Sequence, residues 1–175
     1  MPVVPSWHLG EFSARGVVLL DEPSPELLDL VSGVPEGNNL HLAILRNPYF
    51  DYILDGVKTV ESRFSQRRVA PFGRIATGDV VLLKESGKPI ANYFVADWAT
   101  SQELGQGDLD QLKNDHEEAI CADEDFWRRQ QAARYATLVG IGERGVLAAL
   151  RIYKADQRAW VVFDRDASPA QGRLF

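Results

Sequence analysis

The sequence predicts an α+β fold: a small, partly open β-barrel with flanking helices and an N-terminal extension carrying one helix. Three observations lead there. Short apolar and β-branched runs recur along the chain, set apart by Gly, Pro and Asp turn signals. A single acidic stretch with helical spacing, from Ser101 to about Tyr135, interrupts them. The chain has 175 residues, 45% apolar and 25% charged, which is enough for about one domain with a core that needs no staples.

Residues 1–39 read as the extension, and 40–175 as the main domain. Within the extension, Ser24-Pro25-Glu26 supplies a cap and a first-turn proline, and Gly33 ends the helix. His41 to Leu45 reads as a buried strand. Asn47-Pro48 opens a short helix that stops at Gly56, with Tyr49, Phe50, Ile53 and Leu54 on its apolar side. Thr59 to Phe64 alternates like a strand, Val80 to Leu83 is a second, and Ser86-Gly-Lys-Pro closes a hairpin to a third over Ile90 to Ala99. Two helices follow, anchored by Phe126 and Trp127. Strands at Ala136 to Gly140, Val146 to Tyr153 and Trp160 to Phe163 end the chain.

Composition excludes several classes of function. A single cysteine, Cys121, allows neither an internal disulfide nor a cysteine zinc site, and His8, His41 and His116 lack metal-ligand spacing. No metal and no cofactor is therefore expected. No apolar run approaches the roughly 18 residues of a membrane helix, and the N-terminus lacks a signal-peptide pattern. The expectation is a soluble, cytoplasmic protein with no membrane partner.

Charge is unevenly spread. The net charge is −6, which disfavours indiscriminate binding to phosphate backbones. Lys58 to Lys88 nevertheless holds seven basic and three acidic side chains, while Asp97 to Asp125 holds ten acids against Lys113 alone. Two solvated faces, or a local basic patch for a small anionic or nucleotide-like ligand, both fit this pattern.

Gly140-Ile-Gly142-Glu-Arg-Gly145 satisfies G-x-G-x-x-G, and Asp164 follows nineteen residues later. Too little chain remains to complete a dinucleotide-binding unit, and the following segment has no helix cap. A hairpin turn at Gly142 to Gly145 is the expected structure. The informative stretch is Gly56-Val57-Lys58-Thr59-Val60-Glu61-Ser62-Arg63. Lys58 lies at a helix-to-strand junction, and Glu61 and Arg63, two apart on a strand, share a face that Thr59 joins if pairing is regular. Lysine, carboxylate and arginine around one concavity can bind a polar planar ligand; an exposed ion-pair ladder is the alternative. Tyr52, one turn before Gly56, can add a stacking face or a hydroxyl. Glu61 is expected to hold Lys58 charged, as an anchor rather than a nucleophile.

The order of strand, short aromatic helix, G-x-K-T-x-E-x-R, loop and Gly78-Asp79-x-Val resembles an ASCH domain of the PUA-like superfamily over residues 40 to 163. The first forty residues fall outside that likeness. The resemblance implies a small PUA-like β-barrel and a cleft that binds RNA or a modified nucleoside. Some ASCH proteins hydrolyse an acylated cytidine with lysine, hydroxyl and glutamate, and others are linked to RNA cleavage. The family lysine corresponds to Lys58. The hydroxyl residue three positions later is replaced by Glu61, and a partner glutamate is expected among Glu117, Glu118 and Glu124. Three readings follow: a binder of RNA or a nucleoside-like small molecule through Lys58, Glu61 and Arg63 with Thr59 and Tyr52; a hydrolase with Lys58 and Glu61 catalytic; or a protein-interaction domain without catalysis.

Overall fold

The computed structural model describes residues 8–166. The outermost parts of both sequence-defined segments, residues 1–7 and 167–175, lie outside it. In order, the elements are β1 (Phe12–Ser13), β2 (Val17–Leu19), α1 (Pro25–Ser32), β3 (Leu40–Leu45), α2 (Tyr49–Leu54), β4 (Val60–Ser65) and β5 (Val80–Glu85). They continue with β6 (Ile90–Glu103), α3 (Asp108–Ile120), α4 (Glu124–Arg129), β7 (Tyr135–Leu150), β8 (Ile152–Lys154) and β9 (Trp160–Arg165). Seven strands form one mixed sheet in the order β1-β9-β3-β5-β6-β7-β4, and β2 pairs with β8.

The parallel pair β3–β5 sits at the centre of this sheet, and its sequence shows why both strands are almost continuously apolar. Leu40 and Leu42 with Val80 and Leu82 face one core cluster, beside Leu27 and Val31 of α1. Ala43 and Leu45 with Val81 and Leu83 face a second cluster, beside Phe50 and Ile53 of α2. Both faces are buried, so period-2 alternation between apolar and polar residues disappears. A third cluster, with Leu112, Ile120 and Trp127, fastens α3 and α4 to β4 and β7.

Local signals held at α1 and at the end of α2, whose N-cap is Pro48 itself rather than Asn47. Ser24 accepts a hydrogen bond from Leu27 N at 3.2 Å, Pro25 occupies the first turn, and Gly33 caps the end of α1. Gly56, at φ +79, turns the chain out of α2, and Arg144 of β7 donates to Ile53 O at 2.7 Å to satisfy that helix end.

Two expectations are corrected, and a third is made specific. The segment before β3 is no appendage: β1 pairs with β9, β2 with β8, and α1 buries Leu27 and Val31 in a shared core. The sheet does not close, in keeping with the partly open barrel expected. Strand β4 ends the sheet, and among the described residues no ladder joins it to β3 or β9. The sheet curls far enough for Arg63 of β4 to donate to Ile44 O at 3.2 Å and Ala159 O at 3.3 Å across the gap. Finally, Gly142 to Gly145 is not a turn and the segments around it are not separate strands, since β7 runs unbroken from Tyr135 to Leu150.

The glycines of β7 answer to its neighbour, β6. Gly140 pairs with Trp98 and Gly145 with Tyr93, and an added Cβ would come 2.2 Å from each of those rings. At Gly142 it would come 2.8 Å from the Val95 carbonyl oxygen. The register shifts twice between Phe94 and Trp98, so the ladder bends there. Glycine in a strand marks this kind of close approach and bend. Strand β6 also runs on to Glu103, so the first residues of the acidic stretch extend the sheet before α3 begins.

Candidate functional site

Lys58, Glu61 and Arg63 line one cleft of about 180 Å³, together with Arg46, Tyr49 and Phe126. The floor comes from β3 and β4, one wall from α2, and the other from α4. Glu61 and Arg63 project from the same face of β4, as two-residue spacing requires.

Lys58 is only 2% exposed. Its Nζ donates to Ile120 O at 2.8 Å and lies 5.5 Å from the centre of the Tyr49 ring. Ile120 is the last residue of α3, and Cys121 beyond it takes φ 62, so the ammonium sits at a helix C-terminus, where positive charge is favoured. Burial nonetheless pushes the Lys58 pKa down. Glu61 and Cys121 act upward, Arg63 acts downward with burial, and the net direction is down. Glu61 opposes this shift, as expected of a carboxylate on the same face, and desolvation of the ammonium outweighs it.

Glu61 is 4% exposed. Its Oε1 accepts from Ser62 N at 3.0 Å and stands 3.4 Å from Arg63 Nε, while Oε2 is buried without a hydrogen-bond partner. Arg63 Nε is likewise a buried donor without an acceptor. The cleft is thus lined by a lysine, a glutamate with one oxygen lacking a hydrogen bond, and an arginine whose Nε is ion-paired to that glutamate without a hydrogen bond. Buried polar atoms are ordinarily satisfied, so these two atoms need an explanation.

Behind Arg63 stands a buried relay. Its guanidinium lies 5.0 Å from the Trp160 ring centre. Trp160 Nε1 donates to His41 Nδ1 at 3.0 Å, which leaves the His41 proton on Nε2, facing Asp79 Oδ2 at 2.8 Å. Asp79 also accepts from Asn38 Nδ2, Asn39 N and Ala76 N. Burial would raise its pKa, but these hydrogen bonds together hold it below the usual value.

The remaining expected residues fall elsewhere. Tyr52 does not line the cleft; its carbonyl accepts from Val57 N and Lys58 N, and its ring meets Tyr49 edge-on. Tyr49 lines the cleft instead, its ring centre 6.0 Å from that of Phe126. Its pKa is raised by burial and by Asp123. Thr59 is exposed and is held through its backbone by Ala119 and Ile141. Glu117, Glu118 and Glu124 are exposed and line no part of the cleft; Glu124 pairs with Lys113 at 2.8 Å. Sequence reasoning missed Tyr49 and Arg46 as lining residues. Phe50 and Ile53, buried three residues apart on α2, carry the signal that turns Tyr49 outward. Among the described residues no group of three or more His, Cys, Asp or Glu can hold a metal, and no helix is long and apolar enough to cross a membrane.

No family model matches the chain, and no curated protein matches it either. Solved structures do. The ASCH protein of Zymomonas mobilis aligns with a TM-score of 0.51 at 15% identity, over 64% of this chain and 73% of its own. A tyrosine-to-phenylalanine variant of that protein gives 0.51 and 15% over 63% and 73%, and a serine-to-alanine variant 0.50 and 15% over 61% and 70%. Identity this low speaks for fold alone, and on that ground the chain has an ASCH-like α+β fold.

Proposed function

We propose that the Lys58 cleft binds the base of an RNA or of a modified nucleoside. One observation supports this: Lys58, Glu61 and Arg63 line one small cleft, and Glu61 Oε2 and Arg63 Nε, an acceptor and a donor, make no hydrogen bond within the protein. The edge of a nucleobase offers the complementary pattern, with an exocyclic amine for the carboxylate and carbonyl or ring-nitrogen acceptors for the two cations. Tyr49 and Phe126 supply aromatic surface for an unstacked base. At about 180 Å³ the cleft suits one planar ring system rather than a length of duplex.

The experiment is calorimetric titration of the full chain with the four ribonucleosides and with a short single-stranded RNA. Saturable binding of at least one is expected, and Lys58→Ala should abolish it. Failure of every probe to bind the folded wild-type chain would overturn the reading.

A hydrolytic second reading draws on the lowered pKa of Lys58, which favours the neutral amine that a base or nucleophile needs. Against it, the hydroxyl expected three residues after the lysine is replaced by Glu61, and Thr59 is exposed. Release of acetate from an acylated cytidine, with a rate rising through the Lys58 titration and lost in Lys58→Arg, would establish it; absence of turnover leaves the binding reading.

A further inference from the structure

Next to the Lys58 cleft lies a second cavity, of about 320 Å³, that shares Ile44 and Arg46 with it. Four cationic side chains line this cavity, Arg46, Lys84, Lys154 and Arg158, against one carboxylate, Asp156; Ser86 adds a hydroxyl. The single carboxylate is already committed. Lys154 Nζ donates to Asp156 Oδ1 at 2.8 Å and to the Asp156 carbonyl, and Arg158 Nε donates to Asp156 Oδ2 at 2.8 Å. These partners pull the Asp156 pKa down to about 2, so it stays ionised and spent.

Among the described residues, the side chains of Lys84 and Arg46 have no hydrogen-bond or ion-pair partner. Lys84 is half-buried, and burial and the neighbouring Lys154 both push its pKa down. On a chain of net charge −6, a solvated lysine has carboxylates to spare. A half-buried ammonium beside a second one, with the one nearby carboxylate already taken by Lys154 and Arg158, is an arrangement that an anion completes.

We propose that this cavity is a phosphate subsite, and that the ligand whose base enters the Lys58 cleft carries a phosphate held by Arg46, Lys84, Lys154 and Arg158. This rests on the base-binding reading of the cleft and names its ligand class: a nucleotide or an RNA phosphodiester, rather than a free nucleoside. Arg46 bridges the two compartments and sets the order of the parts, base on the β4 side and phosphate beyond β3.

The test is an amide-resolved NMR titration of the isotope-labelled full chain with four probes: inorganic phosphate, cytidine, cytidine monophosphate and a short oligocytidylate. Phosphate is expected to shift the Lys84 and Ser86 amides saturably, and Lys84→Gln should remove that response. Cytidine monophosphate should bind about tenfold tighter than cytidine, a gap that closes in Lys84→Gln while cytidine affinity holds. Lys84→Gln relieves a like-charge contact, so the variant should unfold no earlier than wild type and a negative result is not a folding artefact. No saturable phosphate response, or one that survives Lys84→Gln, overturns the subsite. Phosphate binding without cytidine binding leaves the subsite standing and removes the base reading; cytidine binding without a phosphate advantage does the reverse. An oligocytidylate tighter than the mononucleotide assigns the subsite to a phosphodiester, and equal affinity assigns it to a mononucleotide.

Discussion

Arg63 Nε stands 3.4 Å from Glu61 Oε1, an ion pair without a hydrogen bond, and it leaves Glu61 Oε2 with no donor at all. Glu61 therefore keeps one oxygen without a hydrogen bond, and its charge is the main force raising the Lys58 pKa against burial. Glu61→Gln should weaken nucleoside binding by roughly tenfold or more, the scale of a hydrogen bond to a charged group. It should also lower the Lys58 titration further. A Lys58 Nζ titration by NMR that stays unchanged in Glu61→Gln would show the two groups to be uncoupled.

The Lys58–Glu61–Arg63 group should serve binding more than stability. Lys58→Met alone leaves Glu61 with one cation fewer and Ile120 O without its donor, so a loss of about 1–3 kcal/mol is expected on denaturation. The double variant Lys58→Met with Glu61→Leu removes both buried charges and should recover most of that loss, because apolar replacements of buried charge pairs are often neutral or better. Neither variant should bind nucleoside. A double variant as unstable as the sum of its parts would mark the charges as structural.

A pH dependence follows from the direction of the Lys58 shift. Its folded pKa lies below the unfolded value of 10.5, so between the two the unfolded chain holds more protons. The penalty for burying the ammonium is present in full below the folded pKa and is relieved as pH climbs toward 10.5. Stability should accordingly gain in that alkaline window relative to Lys58→Met, which lacks the group. Parallel pH profiles of urea midpoints for the two proteins would contradict this.

Asp79→Asn tests the relay behind Arg63. Asp79 accepts from His41, Asn39, Asn38 and Ala76, and an amide nitrogen placed there faces donors with a donor. The expected cost is about 2–3 kcal/mol, together with weaker nucleoside binding as Trp160 loses its fixed partner and Arg63 its platform. In the wild type the Asp79 contribution is present above the unfolded value of 3.8 and is lost as pH falls through the lower folded value. Acid unfolding should thus become shallower in Asp79→Asn; an unchanged acid limb would remove Asp79 from the account.

Gly142→Ala should cost about 1–3 kcal/mol, because the new methyl meets the Val95 carbonyl, a backbone atom that cannot swing away. Gly87→Ala is the contrast. That glycine has open space around it, so any cost there reflects its φ of +82 alone. Equal losses by thermal denaturation together with unaltered β6 and β7 amide shifts in Gly142→Ala would refute the packing argument.

These residues also show what a sequence can disclose. Ser24, Pro25 and Gly33 fix α1 through contacts within a few positions, and the spacing of Glu61 and Arg63 is a property of any strand; both were legible. The glycines of β7 were not. Glycine reads locally as a turn, and the reason for these lies on Trp98, Tyr93 and Val95, more than forty residues back along the chain. The same holds for the partner of Lys58, a backbone carbonyl 62 residues away that no side-chain motif encodes. Tyr49 and Tyr52 could not be told apart without the rotation of α2, which the burial of Phe50 and Ile53 sets. The pairing of β1 with β9 joins residues from opposite ends of the chain and leaves no local trace.

A sheet that stops short of closure has a seam, and here one guanidinium fastens it. Arg63 is at once the clasp between β4 and the β3–β9 side and part of the lining of the cleft. A ligand that engages Arg63 Nε restrains the same side chain that ties Ile44 and Ala159 together, so occupancy tightens the seam and a loosened seam spoils the site. Hydrogen exchange along β4 is where that reciprocity becomes visible: its amides should slow when the cleft fills and quicken in Arg63→Ala, far more than those of β5 at the centre of the sheet.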